Sequence, residues 1–151
     1  ECYANNMDPE IRKKANILEA SRKSYFDKMN MLDDDMEVLL VEFDRIEEEC
    51  YTRKNEKCLN LIDNYWMSLK QYDREEFKEN RINKSKCDDK VPLHMKMPAD
   101  RDGIIRSKNQ YDIWSAHWEC AAPHRDKAEK FALRRVNFLK QANSNLNQFL
   151  S

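Results

Sequence analysis

The residues best equipped for chemistry in this 151-residue chain are few, and their spacing argues against catalysis. His117, Cys120 and His124 come nearest to a nucleophile or metal constellation. Offsets of three and seven would bring them to one face of a continuous helix, but Pro123 is expected to end that helix. A catalytic thiol also needs a general base and a pocket, not neighbours in sequence. The preferred account is a disulfide cysteine flanked by two helix-end histidines. Asp100-x-Asp102-Gly103 has the look of part of a calcium loop. With Gly103 as sixth residue, however, the first and twelfth positions are Pro98 and Asn109, so two essential oxygen ligands are missing. A polar turn at Gly103 is expected instead.

Carboxylates abound, as in Glu47-Glu48-Glu49, but acid–base work needs one carboxyl shifted by burial or by a partner. Three in a row on the polar side of a helix are solvated. A chain with one glycine cannot build the Gly-rich loops that cradle phosphates. No cofactor, no metal and no enzymatic activity are therefore expected. Trp66, Trp114 and Trp118 with Tyr65 and Tyr111 could line an apolar cavity, although their helical spacing is that of core packing. Met29, Met31, Met36 and Met67 are read the same way, as fillers of a core.

These side chains must be carried by helices. Gly103 is the only glycine, and neither Gly nor Pro occurs between Pro9 and Pro92, a stretch dense in Glu, Lys, Leu, Met and Arg. Strand-rich folds need many tight turns and the residues that make them, whereas those straight-chain residues lose little freedom in a helix. The fold expected is all-α: one domain over residues 1–151, a disulfide-stapled bundle of four to five helices, with a long irregular connection at about 81–109.

Helix one begins with Asp8 as N-cap and Pro9 in the first turn. Its stripe is Ile11, Ala15, Leu18, Tyr25 and Met29, widened by Ile17 and Phe26. A break is expected at Asn30–Asp33. The second helix then buries Met36, Leu39, Leu40, Phe43, Ile46 and Cys50. An unbroken helix over 33–80 would run about 72 Å, too long for one compact domain, which places another break near 52–56. The stripe resumes with Cys58, Leu61, Ile62, Tyr65, Trp66, Leu69 and Tyr72. Beyond the connection, Tyr111, Trp114, Trp118 and Ala121 form a short helix ending at Pro123. The last helix runs from about His124 to Phe149, on Phe131, Ala132, Val136, Leu139, Ala142, Leu146 and Leu150.

Five cysteines at 2, 50, 58, 87 and 120 contain no Cys-x-x-Cys pair, so bridges between distant segments are favoured over zinc. Bridges persist in oxidising compartments. A chain that starts at Glu1 and carries an Asn83-Lys84-Ser85 sequon, with Asn83 as glycosylation site, fits secretion. If helices one and two form a hairpin turning near 31–32, Cys2 lies level with Cys58, giving Cys2–Cys58. Cys87–Cys120 then ties the connection to the Trp helix, and Cys50 is the odd thiol, buried or exposed for dimerisation. Eight residues of helix span about 12 Å, whereas bridged Cα atoms lie within about 7 Å. Cys50–Cys58 therefore competes only if 52–56 is a turn.

Charge supplies the remaining signal. The net charge is −1, against the basic excess that nucleic-acid binding requires. The longest aliphatic run, Val38-Leu39-Leu40-Val41, is far too short to insert in a membrane. Residues 31–50 hold nine acidic side chains against Arg45 alone, whereas the connection and last helix lean basic. The function expected is that of a secreted, non-enzymatic helical protein binding an extracellular protein partner: a cytokine-like ligand, an inhibitor of a host protein or a recognition protein. Lys84, Lys86, Lys90 and Lys96 on one side and Glu47, Glu48 and Glu49 on the other are the candidate contacts, and a disulfide-linked or non-covalent homodimer is allowed for. The alternative is a carrier of a small apolar ligand between the helices; an enzyme of unfamiliar type comes third.

Overall fold

A computed structural model describes residues 7–96 and 104–151. The chain is all-α, with four α-helices among the described residues: α1 (Pro9–Thr52), α2 (Glu56–Lys86), α3 (Lys108–Cys120) and α4 (Ala122–Asn147). No strand occurs among the described residues.

Helix α1 starts where Asp8 and Pro9 direct. The Asp8 carboxylate accepts from the Glu10 backbone N–H at 2.7 Å, and its carbonyl accepts the first helical bond, from Arg12 at 2.8 Å. The expected break at 30–33 does not form, and α1 continues for 44 residues, about 66 Å. Its inward positions explain why. Ile11, Ala15, Leu18, Arg22, Tyr25, Met29, Leu32, Met36, Leu39, Phe43, Ile46 and Cys50 are all buried or half-buried, and they alternate steps of four and three without a slip. Asn30 and Asp33 to Asp35 point outward, where their modest helix penalty is outweighed by burial on both sides.

The break at 52–56 does form, as a Schellman turn. Lys54 stands at φ 54°, its N–H donating to the Tyr51 carbonyl, while the Asn55 N–H donates to Cys50. Asn55 then caps α2, its side-chain oxygen accepting from the Cys58 N–H at 3.1 Å. This reversal brings the Cys50 and Cys58 Cα atoms to 5.9 Å, and the two cysteines are bridged. The Cys2–Cys58 pairing is thereby overturned: with α1 unbroken there is no hairpin at 31–32 to carry Cys2 toward Cys58. Cys50 is not the odd thiol either. Cys2 lies outside the described residues, as does Asp100-x-Asp102-Gly103.

Helix α2 repeats the four-three alternation through Cys58, Ile62, Tyr65, Leu69, Tyr72, Glu76, Glu79 and Asn83, all at least half-buried. It extends one and a half turns into the expected connection, whose described residues outside α-helix are 87–96 and 104–107. There, 3₁₀ turns occupy Asp88–Lys90 and Leu93–Met95. The Cys87–Cys120 bridge forms as expected, with Cα atoms 5.8 Å apart. Ser107 caps α3, its hydroxyl accepting from the Gln110 N–H while the Gln110 amide oxygen accepts from the Arg106 N–H. Pro123 does not so much end α3 as begin α4: it lies in the first turn, where a missing N–H leaves nothing unpaired.

The chain packs as two compact units. One comprises residues 1–28 and 80–126, the other 29–79 and 127–151. Helices α1, α2 and α4 each supply residues to both. The first unit buries Met7, Ala15, Leu18, Val91, Met95, Ile105 and Trp114 and contains the Cys87–Cys120 bridge. The second buries Phe43, Ile46, Ile62, Leu69, Leu139, Ala142 and Leu146 around the Cys50–Cys58 bridge.

Candidate interaction surfaces

In the first unit the connection is pinned at several points. Cys87, Val91, Met95 and Ile105 are buried to within 4% of full enclosure. At its far end, the Glu19 carboxylate accepts from the Ile105 N–H at 2.8 Å and from Arg12 at 3.0 Å, and Arg12 donates in turn to the Ile105 carbonyl at 2.7 Å. The backbone at Ile105 is thus held by both its donor and its acceptor. With Cys87, Val91 and Met95 turned inward at steps of four, intervening side chains turn outward. Lys84, Lys86 and Lys90 are exposed, Lys96 is half-buried, and Leu93 is 80% exposed among them. None of the four lysines forms an ion pair among the described residues. Asn83 occupies the last turn of α2, half-buried, with its side-chain oxygen enclosed.

The acidic triplet is distributed differently. Glu47 accepts from the Trp66 indole N–H at 3.2 Å, and Glu49 pairs with Arg53 at 2.9 Å. Of the three, Glu48 alone is exposed. On α4, Lys127, Arg134 and Arg135 are likewise engaged within the second unit: Lys127 pairs with Glu79 (3.4 Å), Arg134 with Glu75, and Arg135 with Asp73 (3.2 Å) and Glu76 (3.0 Å). The guanidinium beside Glu75 holds its carboxyl below the ordinary glutamate range. Glu76 moves the other way, because burial outweighs the attraction of Arg135.

The aromatic residues do not form one cluster. Trp114, Trp118 and Tyr111 belong to the first unit, Trp66 and Tyr65 to the second. Trp118 meets Tyr25 edge-on at 6.1 Å and is covered by Arg125 at 3.4 Å; Arg22 lies 4.3 Å over Trp114. Trp66 meets Phe43 at 5.1 Å, and Tyr65 meets Phe138 at 5.4 Å. A groove of about 530 Å³ lies along α1 between Ile17 and Lys28, open to solvent. The histidine–cysteine constellation also separates: Cys120 is bridged to Cys87, and His117 lies 2.6 Å from the Asp88 carboxylate. No group of three metal-ligating side chains occurs among the described residues, and none of their helices is long and apolar enough to cross a membrane.

Sequence reasoning missed the second-unit face of α1, where Met31, Val38 and Val41 are 67%, 69% and 66% exposed. Their spacing of seven and three was visible in the sequence, but the expected break at 30–33 concealed it. No protein-family model, no curated protein and no solved structure matches this chain.

Proposed function

We propose that the protein is secreted, lacks enzymatic activity, and acts by binding an extracellular protein partner through the last turn of α2 and the connection that follows it. One observation carries this reading. Lys84, Lys86, Lys90 and Lys96 flank the 80% exposed Leu93 on a segment held by a disulfide and by buried side chains. A surface of fixed conformation loses little entropy on binding, and an exposed apolar anchor on a lysine-rich segment suits an acidic protein surface. Two disulfides support an oxidising compartment. Packing of the tryptophans against Tyr25, Phe43 and arginines favours a binder over a carrier, which needs an enclosed apolar chamber.

The test is a cross-linking pull-down from extracellular fluid with wild-type protein and the Lys84→Ser/Lys86→Ser/Lys90→Ser/Lys96→Ser variant, with helicity checked by circular dichroism. A partner captured by the wild type and lost in an equally helical variant supports the proposal. Equal capture by both removes the connection as the binding surface.

A further inference from the structure

The outward face of α1 in the second unit carries three apolar side chains, Met31, Val38 and Val41, that are each about two-thirds exposed. Met31, Val38 and Val41 lie within an arc of about 80° and over about 15 Å of helix length. Glu37, Asp44 and Glu48 border the stripe on one side, Asp35 borders it on the other, and Asp34 lies within it; all five are exposed. None of these carboxylates forms an ion pair among the described residues. The only base on this stretch, Arg45, is taken by Glu42 through two hydrogen bonds of 2.7 and 3.1 Å. The unit as a whole holds 16 acidic against 12 basic residues, whereas the first holds 12 against 15.

We infer that this face docks a basic amphipathic helix of a protein partner, its apolar side seated on Met31, Val38 and Val41 and its lysines or arginines meeting the flanking carboxylates. Charge selects this occupant from those an apolar stripe could take. An anionic lipid surface or a nucleic acid would be repelled by five unneutralised carboxylates. The same face of a second copy would set acid against acid. A cationic helix with apolar residues on one side matches both features, pairing helix against helix as in a coiled-coil zipper. This surface is separate from the lysine-bearing connection and extends the proposed function to a second contact.

The probe is a labelled 18-residue peptide of Leu and Lys in amphipathic helical order, titrated with the disulfide-intact chain and followed by fluorescence anisotropy. The controls are a peptide of the same composition in scrambled order and one with Glu for Lys. Saturable binding of the ordered peptide is expected, weakened about tenfold or more by Val38→Ser/Val41→Ser and by Asp44→Lys/Glu48→Lys. The four-lysine connection variant should bind it as the wild type does, so failure at one surface is distinguishable from failure at the other. These substitutions lie on exposed positions, and circular dichroism together with non-reducing mass mapping verifies the fold. Equal affinity for ordered and scrambled peptides reduces the effect to bulk charge and overturns the proposal. So does binding indifferent to Val38→Ser/Val41→Ser. Concentration-dependent self-association abolished by Val38→Ser/Val41→Ser makes a second copy the occupant and overturns it likewise.

Discussion

Neighbouring glutamates on α2 illustrate how strongly local surroundings separate chemically identical groups. Glu75 accepts hydrogen bonds from Arg134 and Gln71, and its carboxyl is held below the ordinary value. Glu76 sits on the inward seam, where burial raises its pKa despite Arg135 at 3.0 Å. The two should therefore affect stability with opposite signs. Glu75 contributes stability that is present above the unfolded glutamate pKa and lost as pH falls through its lowered folded value. The contribution of Glu76 is present below the unfolded value and lost as pH rises through its raised folded one. Carbon-detected NMR titration of the side-chain carboxyls checks this: Glu76 should titrate at higher pH than Glu75. Coincident midpoints would show that neither burial nor Arg134 distinguishes them. Glu76 was recognisable as an inward position from the step of four after Tyr72, but whether burial would outweigh the attraction of Arg135, 59 residues away, could not be read locally.

At the level of elements, the turn between α1 and α2 concentrates several local rules in a few residues. Lys54 adopts a left-handed conformation that costs a non-glycine residue about 1 kcal/mol or more. Lys54→Gly should raise the urea midpoint, adding about 0.5–1 kcal/mol after glycine's greater unfolded-state entropy is subtracted. An unchanged or lowered midpoint would mean that the lysine stem contributes packing not evident from its exposure. The position of this break was legible in the sequence from the polar run Thr52 to Glu56. Helix length alone is a weak reason for it, because α1 itself runs about 66 Å, close to the ~72 Å expected of an unbroken 33–80 helix. A helix can be that long when it serves two cores in succession. The evidence for continuity was present in the steps Met29, Leu32, Met36, which preserve the four-three alternation across the supposed break. Asp33-Asp34-Asp35 has the composition of a helix-capping run, yet three carboxylates on an outer face are equally compatible with mid-helix.

For the molecule as a whole, each unit has its own core and its own disulfide, and the bridges close loops of different length. Cys50–Cys58 spans 8 residues and Cys87–Cys120 spans 33. In the chain-entropy account they contribute about 2.5 and 3.7 kcal/mol respectively. Cys87→Ser/Cys120→Ser should therefore lower stability by about 1 kcal/mol more than Cys50→Ser/Cys58→Ser in chemical denaturation. Hydrogen exchange in the former variant should accelerate first at residues 80–126. Non-reducing peptide mapping of the wild type should return both linked pairs. A Cys2–Cys58 linked peptide would contradict the fold, and the reverse order of stability would show that native-state interactions outweigh loop length.

The sequence alone determined the helical class, the start of α1 at Asp8-Pro9, the turn near 52–56 and the Cys87–Cys120 bridge. Each follows from interactions within a few residues, or from which segments remain once the helices are assigned. Propensity, capping and apolar period are local quantities. Only the tertiary structure decided that Cys50 pairs with Cys58, since an intrahelical distance of about 12 Å had to shrink to 5.9 Å through a left-handed residue. It likewise decided which charges remain available. Lys127, Arg134, Arg135, Glu47 and Glu49 are engaged inside the second unit, while Asp34, Glu37, Asp44 and Glu48 face water. A charged residue's type is written in the chain, but whether its charge is already neutralised depends on what packing brings beside it.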